Sequence, residues 1–221
     1  MLWRNALIMY DKETGSEWSH YTGLCMKGEH KGETLKVIQS IPRVNYGDWL
    51  KLHKNTKVLT HQNRDEDVKD VYKKYHESDR IGRVPLEHKD ERLSLKSKII
   101  GVWNDKGALA VPYEYFVGKD FVETSFQNEK IIIYKNEKSQ ISTVWKIQVD
   151  KDITLLSNSV DKSLIKDNQG NSWDLRTGKA LKGDGKLVAV NHMLTYWFSW
   201  RDFYPQSVVL EVASDDKVKT K

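Results

Sequence analysis

The amino-acid sequence contains one segment twice. Residues 15–28 and 170–183 carry glycine at the same three places, and between them Trp18 matches Trp173, with a threonine and a lysine also repeated 155 positions apart. A unit that cannot close its own apolar face commonly packs against a neighbouring copy. The repetition therefore predicts two pseudo-symmetric units with the same order of elements.

The flanks of the two segments also match. An apolar stretch ending in aspartate precedes each one, LIMYD with Asp11 and SLIKD with Asp167. An aromatic stretch follows each one at an offset of 151, with the pairs Tyr46 and Trp197, Trp49 and Trp200, His53 and Tyr204, Val58 and Val209, and Leu59 and Leu210. We therefore assign repeat one to residues 5–59 and repeat two to residues 161–212.

Composition divides the rest of the chain. Residues 60–97 form a charged connection that is poor in branched apolar residues and is expected to carry a helix around 65–76. Residues 98–160 form a β-rich middle section, and residues 213–221 form a charged tail. With 221 residues, 38% of them apolar, the chain can bury one core. The predicted fold class is β-rich α+β, with antiparallel sheets, short helices and two pseudo-symmetric repeat units in a single domain.

Local patterns within repeat one predict its elements. ALIMY at 6–10 alternates toward a turn rich in aspartate and glycine, which favours a hairpin. TLKVIQSI at 34–41 and KVLT at 57–60 are typical of strands. Between them, Asn45 is expected to cap a short helix over YGDWLKLHK at 46–54.

The middle section predicts strands throughout. KIIGVW at 98–103 and ALAVPYEYF at 108–116 flank a turn that ends in glycine, as expected of a hairpin. EKIIIYKN at 129–136, QISTVWKIQV at 140–149 and DITLLS at 152–157 follow as further strands.

The charge distribution favours a solvated surface over a nucleic-acid footprint. The chain carries 36 basic and 31 acidic residues, a net charge of +5, and the two signs mostly alternate. No apolar run approaches the roughly 20 residues of a membrane helix, and the amino-terminal MLWRNALIMY does not resemble a signal peptide. The sequence does not identify a partner, and a protein and a small-molecule ligand both stay open.

Known catalytic and metal-binding patterns are absent from the sequence. Cys25 is the single cysteine and is replaced by Ala180 in the second copy, which favours packing over reactivity. The seven histidines show no paired spacing, and His20 and His53 are not histidine in the other copy, so no metal site is predicted. No nucleophile elbow, phosphate loop or dinucleotide fingerprint occurs, and we predict no cofactor.

Two sets of residues remain as candidates for binding. Asp90, Arg92 and Lys96 lie within seven residues and could ligate an anionic group or form a salt-bridge network that holds the connection down; the network is favoured. The tryptophans of the repeat could stack on a ligand, but their recurrence in both copies favours a core role for Trp18 and Trp173.

The ordered series of motifs resembles the bacterial and archaeal domain-of-unknown-function family 3179. The resemblance covers nearly the whole chain. It rests on Asp11, Thr14, Gly15, Ser16, Trp18, Thr22, Gly23, Gly28, Trp49, Val58, Leu59, Asp70, Tyr72, Tyr75, Asp90, Arg92, Leu93, Lys96, Ile100, Gly101, Val102, Ala110 and Pro112.

The resemblance implies a fold and a cellular location, but it does not imply a reaction. Longer members carry a cysteine-containing strand ahead of the first repeat, and many relatives carry export signals. The chain is thus expected in the cytoplasm if Met1 is the native start, and outside it if the chain is a shortened form of an exported relative.

Two functional hypotheses follow. The first is a non-enzymatic binding or scaffold module. The second is an enzyme or metal-dependent protein with a polar site between the two repeats, using Asp90, Arg92, Lys96 and either His20 or His53. The absence of an activated nucleophile or a paired ligand motif favours the first.

Overall fold

The computed structural model describes residues 1–38, 40–59, 71–148, 154–157 and 160–211. The first strands and helices are β1 (Leu2–Trp3), β2 (Ala6–Tyr10), β3 (Glu17–Ser19), β4 (Cys25–Lys27), α1 (Tyr46–Leu52) and α2 (Lys73–Glu77). The middle of the chain forms β5 (Lys98–Asn104), β6 (Gly107–Pro112), a 3-10 helix (Tyr113–Phe116), β7 (Phe121–Phe126), β8 (Glu129–Lys135) and β9 (Ser142–Gln148). The remaining elements are β10 (Leu155–Ser157), β11 (Leu164–Asp167), β12 (Ser172–Asp174), β13 (Lys179–Lys182), β14 (Lys186–Ala189), β15 (His192–Tyr196), α3 (Trp197–Phe203) and β16 (Val208–Val209).

The strands of the described residues form four sheets of four strands each. Their orders are β1-β2-β3-β4, β10-β11-β12-β13, β14-β9-β8-β7 and β15-β5-β6-β16. The pairing is antiparallel apart from β16, which runs parallel to β6. The prediction of a β-rich fold with antiparallel sheets and short helices is confirmed.

The sheets β1–β4 and β10–β13 are both meanders, and each has a tryptophan in its third strand. The neighbours of these tryptophans across the sheet are Met9 and Cys25 for Trp18, and Ile165 and Ala180 for Trp173. The register shifts immediately before each tryptophan, as in a β-bulge. Trp18 is 9% exposed and Trp173 is fully buried, which confirms their predicted place in the core.

A tight turn follows the third strand of each meander. Gly23 and Gly178 both have φ of 71°, a left-handed conformation that glycine adopts without strain. The Gly23 N–H donates to Ser19 O at 2.9 Å, and the Gly178 N–H donates to Asp174 O at 2.7 Å. Gly23 and Gly178 thus serve the same turn geometry.

The helices α1 and α3 are both seven residues long and lie 151 positions apart. Each ends with the same hydrogen bond, from the His53 N–H to Trp49 O at 2.8 Å and from the Tyr204 N–H to Trp200 O at 2.9 Å. Asn45 occupies the N-cap of α1 as predicted, but its side chain makes no capping hydrogen bond and donates to Lys138 O at 3.0 Å instead.

Three apolar clusters form the core. One lies between the β5–β6 hairpin and the strands β7–β9, around Ile100 and Ile133. A second joins β8 to the β10–β13 sheet around Trp173, with Leu52 of α1 against it. The third packs α3 on the β5–β6 hairpin through Trp197 and Trp200.

Two predicted strands did not form. The described residues of 34–41 make only an isolated bridge, between Thr34 and Leu24, and residues 57–59 are not in a strand. The sequence alternates there as a strand does, but no neighbouring strand among the described residues pairs with it. The helix predicted around 65–76 falls largely outside the described residues. Its last part lies in the described residues, where α2 covers it.

The predicted hairpin is confirmed by β5 and β6 over 98–112, whereas YEYF at 113–116, expected to continue the second strand, forms the 3-10 helix. The register of β5 and β6 runs from Ile99 opposite Pro112 to Asn104 opposite Gly107, so Pro112 stands at the end of its strand. Among the described residues, no helix has the length and apolar character needed to cross a membrane.

Candidate functional site

A cleft of about 280 Å³ opens between α1, the loop that joins β8 to β9, and the beginning of the second meander. Leu52 and Ile141 give it an apolar floor, and Tyr134 lies at its base. Asp48 of α1 and Arg176, which follows β12, also line it. A small cavity with an apolar floor and a few polar groups on its walls is the usual form of a ligand site.

Arg176 lines the cleft, and its side chain is held in a fixed position by Asp174. Its Nε and Nη2 donate to the Asp174 carboxylate at 2.9 and 2.8 Å, and its backbone N–H donates to the same carboxylate at 2.9 Å. The hydrogen bond to Asp174 raises the pKa of Arg176. Its Nη1 makes no hydrogen bond to a described residue, so this nitrogen can donate to a ligand from a fixed position.

Two carboxylates, Asp48 and Asp161, line the cleft, and Asp161 Oδ2 lies 3.8 Å from Arg176 Nη2. Ser163 Oγ donates to Asp161 Oδ1 at 2.5 Å, and this hydrogen bond lowers the pKa of Asp161. On the α1 side, Lys51 Nζ donates to Asp48 Oδ1 at 2.6 Å. Burial raises the pKa of Tyr134, so its phenol is protonated at neutral pH. The cleft therefore offers both hydrogen-bond donors and ionised acceptors.

Two residues of the cleft, Leu52 and Arg176, have counterparts in the other copy of the repeated sequence, and these counterparts contact each other. Leu52 corresponds to Phe203 at the offset of 151, and Arg176 corresponds to Tyr21 at the offset of 155. Tyr21 and Phe203 stack with their rings 4.3 Å apart and 8° from parallel, and the Tyr21 hydroxyl hydrogen-bonds to Thr195. An aromatic pair therefore fills that place, whereas a leucine and an arginine leave the cleft open.

The structure brings Asp90 and Arg92 together, as predicted. Arg92 Nε and Nη2 donate to Asp90 Oδ2 at 3.0 and 2.6 Å, and this pairing lowers the pKa of Asp90. Arg92 Nη1 donates to Ser207 O at 3.0 Å, and the guanidinium lies 5.4 Å from the Trp197 ring. The arginine thus links the segment ahead of β5 to the loop between α3 and β16.

Lys96 has different neighbours. Its ammonium donates to Ser78 O at 2.5 Å and also to Tyr75 O. It lies 4.1 Å from the centre of the Tyr75 ring and 5.4 Å from that of Tyr196. It forms no ion pair within the described part of the chain, so the predicted three-residue salt-bridge network reduces to one ion pair and one lysine held by carbonyls and rings.

The two candidate histidines lie outside the cleft. His20 is exposed with its ring 6.5 Å from that of Tyr21, and the ring of His53 lies 4.1 Å from that of Trp49. No three histidine, cysteine or carboxylate side chains are close enough together to hold a metal ion among the residues that the structure describes.

The sequence reasoning missed Arg176, Asp161 and Leu52. They are far apart in the chain, and none belongs to a known motif. A signal was present, because Arg176 and Leu52 are positions where the two copies differ in residue class.

These features define a β-rich protein with a small cleft lined by polar and apolar groups. The chain belongs to the family described as Protein of unknown function (DUF3179), whose model matches residues 1–207. Comparison of the chain with curated proteins and with solved structures found no match.

Proposed function

We propose that the chain is one domain built from two structural repeats, residues 5–59 and 161–212. The matched registers around Trp18 and Trp173 and the two helices 151 positions apart support this. In this proposal the connection at 60–97 and the middle section at 98–160 join the repeats, and 213–221 is a tail.

Within this domain we propose a non-enzymatic binding module whose ligand occupies the cleft. The supporting observation is the contrast between the open cleft and the corresponding place that Tyr21 and Phe203 fill. The cleft lies between the helix of repeat one and the meander of repeat two. A scaffold that only needed to pack would favour the filled arrangement at both places, because apolar contact area stabilises a fold.

The lining groups favour a small zwitterion of amino-acid type. Arg176 Nη1 suits a carboxylate, the Asp48 and Asp161 carboxylates suit an ammonium or hydroxyl group, and Leu52 suits a short apolar chain. The volume, at the lower end of ligand pockets, excludes a large ligand.

The alternative of an enzyme would use the same cleft, which lies between the repeats as that hypothesis requires. The acid–base groups argue for binding instead. The pKa of Asp161 is lowered and that of Tyr134 is raised, so both titrate away from neutral pH, where general acids and bases work best.

The test is a ligand titration followed by NMR, using a panel of amino acids, simple carboxylates and phosphate esters. We expect an amino acid to shift signals of residues around the cleft. The variant Leu52→Phe with Arg176→Tyr copies the filled arrangement, and it should weaken binding at least about tenfold while staying folded.

Leu181→Phe is the matched control, since Leu181 is a half-exposed leucine on the same meander outside the cleft. It should bind as the parent does. Binding by the filled variant that equals the parent's, or a panel without any binder, would contradict the proposed function. Consumption of the bound molecule would favour the enzyme.

We also propose that Asp90, Arg92 and Lys96 fasten the charged connection to the rest of the fold. Their polar groups point at internal partners, Ser207 O for Arg92 and Ser78 O for Lys96. Their role in binding a ligand stays a prediction, and the Arg92 variant in the Discussion tests it.

A further inference from the structure

The edges of repeat two are completed by strands of the middle section. β14 pairs with β9, β15 pairs with β5, and β16 pairs with β6. The β5–β6 hairpin therefore lies between β15 and β16 and carries α3 on its face. The strands and the helix of repeat two are therefore covered by a hairpin that belongs to the middle section.

The corresponding segments of repeat one receive nothing comparable. At the offset of 151, residues 35–38 correspond to β14, and residues 41–45 correspond to β15. Residues 57–59 correspond to β16 and the residue that follows it. Within the described part of the chain, no backbone hydrogen bond involves 36–38, 41–44 or 57–59. The two segments beside α1 thus keep their N–H and C=O groups available for a strand.

The same segments expose apolar side chains. Ile38 is 97% exposed, Ile41 is 77% exposed and Leu59 is fully exposed. In repeat two the counterpart of Ile41 is His192, which is 9% exposed in β15. Unpaired backbone beside exposed branched side chains is the usual form of a surface that accepts added strands.

We propose that residues 36–38, 41–44 and 57–59 form a docking face for a β-hairpin supplied by a partner protein. The hairpin takes the place that β5–β6 takes in repeat two, with one strand against 41–44 and the other against 57–59. This inference rests on the two repeats proposed above, and the docking face shares only Val44 with the lining of the cleft.

The structure also indicates the chemistry of the partner hairpin. The resident hairpin has small and branched apolar residues along both strands, such as Val102 and Ala110. Exposed cations surround the docking face, Lys36, Arg43 and Lys57 among them. A hairpin with apolar strands and acidic residues at its ends and turn complements this face.

The test supplies such a hairpin to the full chain. A copy of residues 98–112 carrying Lys98→Glu and Lys106→Glu is fused ahead of Met1 through a glycine/serine linker of about 20 residues, which reaches roughly 25 Å on average. Tethering gives an effective concentration on the order of millimolar, so weak pairing is detectable. The matched control carries Val102→Pro and Ala110→Pro in the fused copy, since proline cannot donate to the partner strand.

Hydrogen exchange then reads the result. We expect the fused hairpin to slow exchange of the amides at 36–38, 41–44 and 57–59 at least about tenfold, and the proline control to leave them unchanged. No slowing, or equal slowing by the proline control, would overturn the proposal. Sedimentation of the parent chain as a dimer with these amides already protected would identify a second copy as the occupant and would also overturn it.

Discussion

The helices α1 and α3 have the same length and the same terminal hydrogen bond, yet their burial is opposite. No residue of Tyr46–Leu52 is buried, whereas all seven residues of Trp197–Phe203 are buried. α3 has the β5–β6 hairpin on one side and the charged connection on the other, where the N–H groups of Glu87 and His88 donate to Asp202. The helical geometry thus arises from local sequence, and the burial arises from what the rest of the chain packs around it.

The sequence differences between the helices fit this contrast. The buried helix has Trp197 and Phe203 where the exposed helix has Tyr46 and Leu52. Trp49 lies at the same position as Trp200 but is only partly buried, and its Nε1 donates to Thr56 Oγ1 at 2.8 Å. A shared tryptophan therefore has two different energetic roles.

The largest predicted effect compares these two tryptophans. Trp200→Ala removes a fully buried ring and should lower the free energy of unfolding by about 3–5 kcal/mol, as large-to-small core substitutions do. Trp49→Ala should cost less than about 2 kcal/mol, because its ring is already partly in water. Chemical denaturation of both variants measures the difference, and Trp200→Phe serves as a control that keeps a ring. Equal losses at the two positions would break the comparison.

The second effect concerns the connection that covers α3. Arg92→Met removes the hydrogen bond to Ser207 O and the pairing with Asp90. We expect a loss of about 1–2 kcal/mol and faster proteolysis within 71–97, with the meanders still folded. Limited proteolysis beside a denaturation curve measures both. Unchanged cleavage and unchanged stability would contradict the proposal that Arg92 fastens the connection to the fold. A loss of ligand binding alone would make Arg92 a binding residue.

A third prediction fills the open place beside α1. Leu52→Phe with Arg176→Gln leaves no aromatic pair and adds no charge beside Asp174, whereas Leu52→Phe with Arg176→Tyr recreates the stack of Tyr21 and Phe203. The aromatic variant should be more stable than the glutamine variant by about 1 kcal/mol, the usual size of an aromatic pair. Thermal unfolding compares them. A ranking in the opposite order would mean that the two places are not alike.

The smallest effect is a pH dependence at the edge of repeat two. Burial lowers the pKa of His192 below its usual 6.5, so the folded protein holds this ring neutral where the unfolded chain protonates it. The free energy of unfolding should therefore fall as the pH drops below about 6.5. His192→Gln should remove this part of the dependence, measured by urea denaturation at pH 7.5 and 5.5. An identical pH dependence in the variant would show that His192 does not contribute.

The sequence predicted elements whose partners are close in the chain. The hairpin was correct over 98–112 because its turn and both of its strands lie within one short stretch. The strands at 34–41 and 57–60 were wrong because a strand needs a partner, and the sequence pattern does not reveal whether one exists.

The site was harder to predict for the same reason. Asp90 and Arg92 were found because they are neighbours in sequence, whereas the cleft assembles Leu52, Tyr134 and Arg176 from three separate stretches. Comparing the copies where they differ would have pointed to two of these residues.

Hydrogen exchange of the free protein tests the contrast between the two repeats most directly. The amides of 49–53 in α1 should exchange through local opening, and those of 200–204 in α3 should exchange only near global unfolding, because one helix is uncovered and the other is enclosed. We predict protection at least about a hundredfold greater in α3, on the order of 2.7 kcal/mol. Equal protection of the two helices would contradict the account.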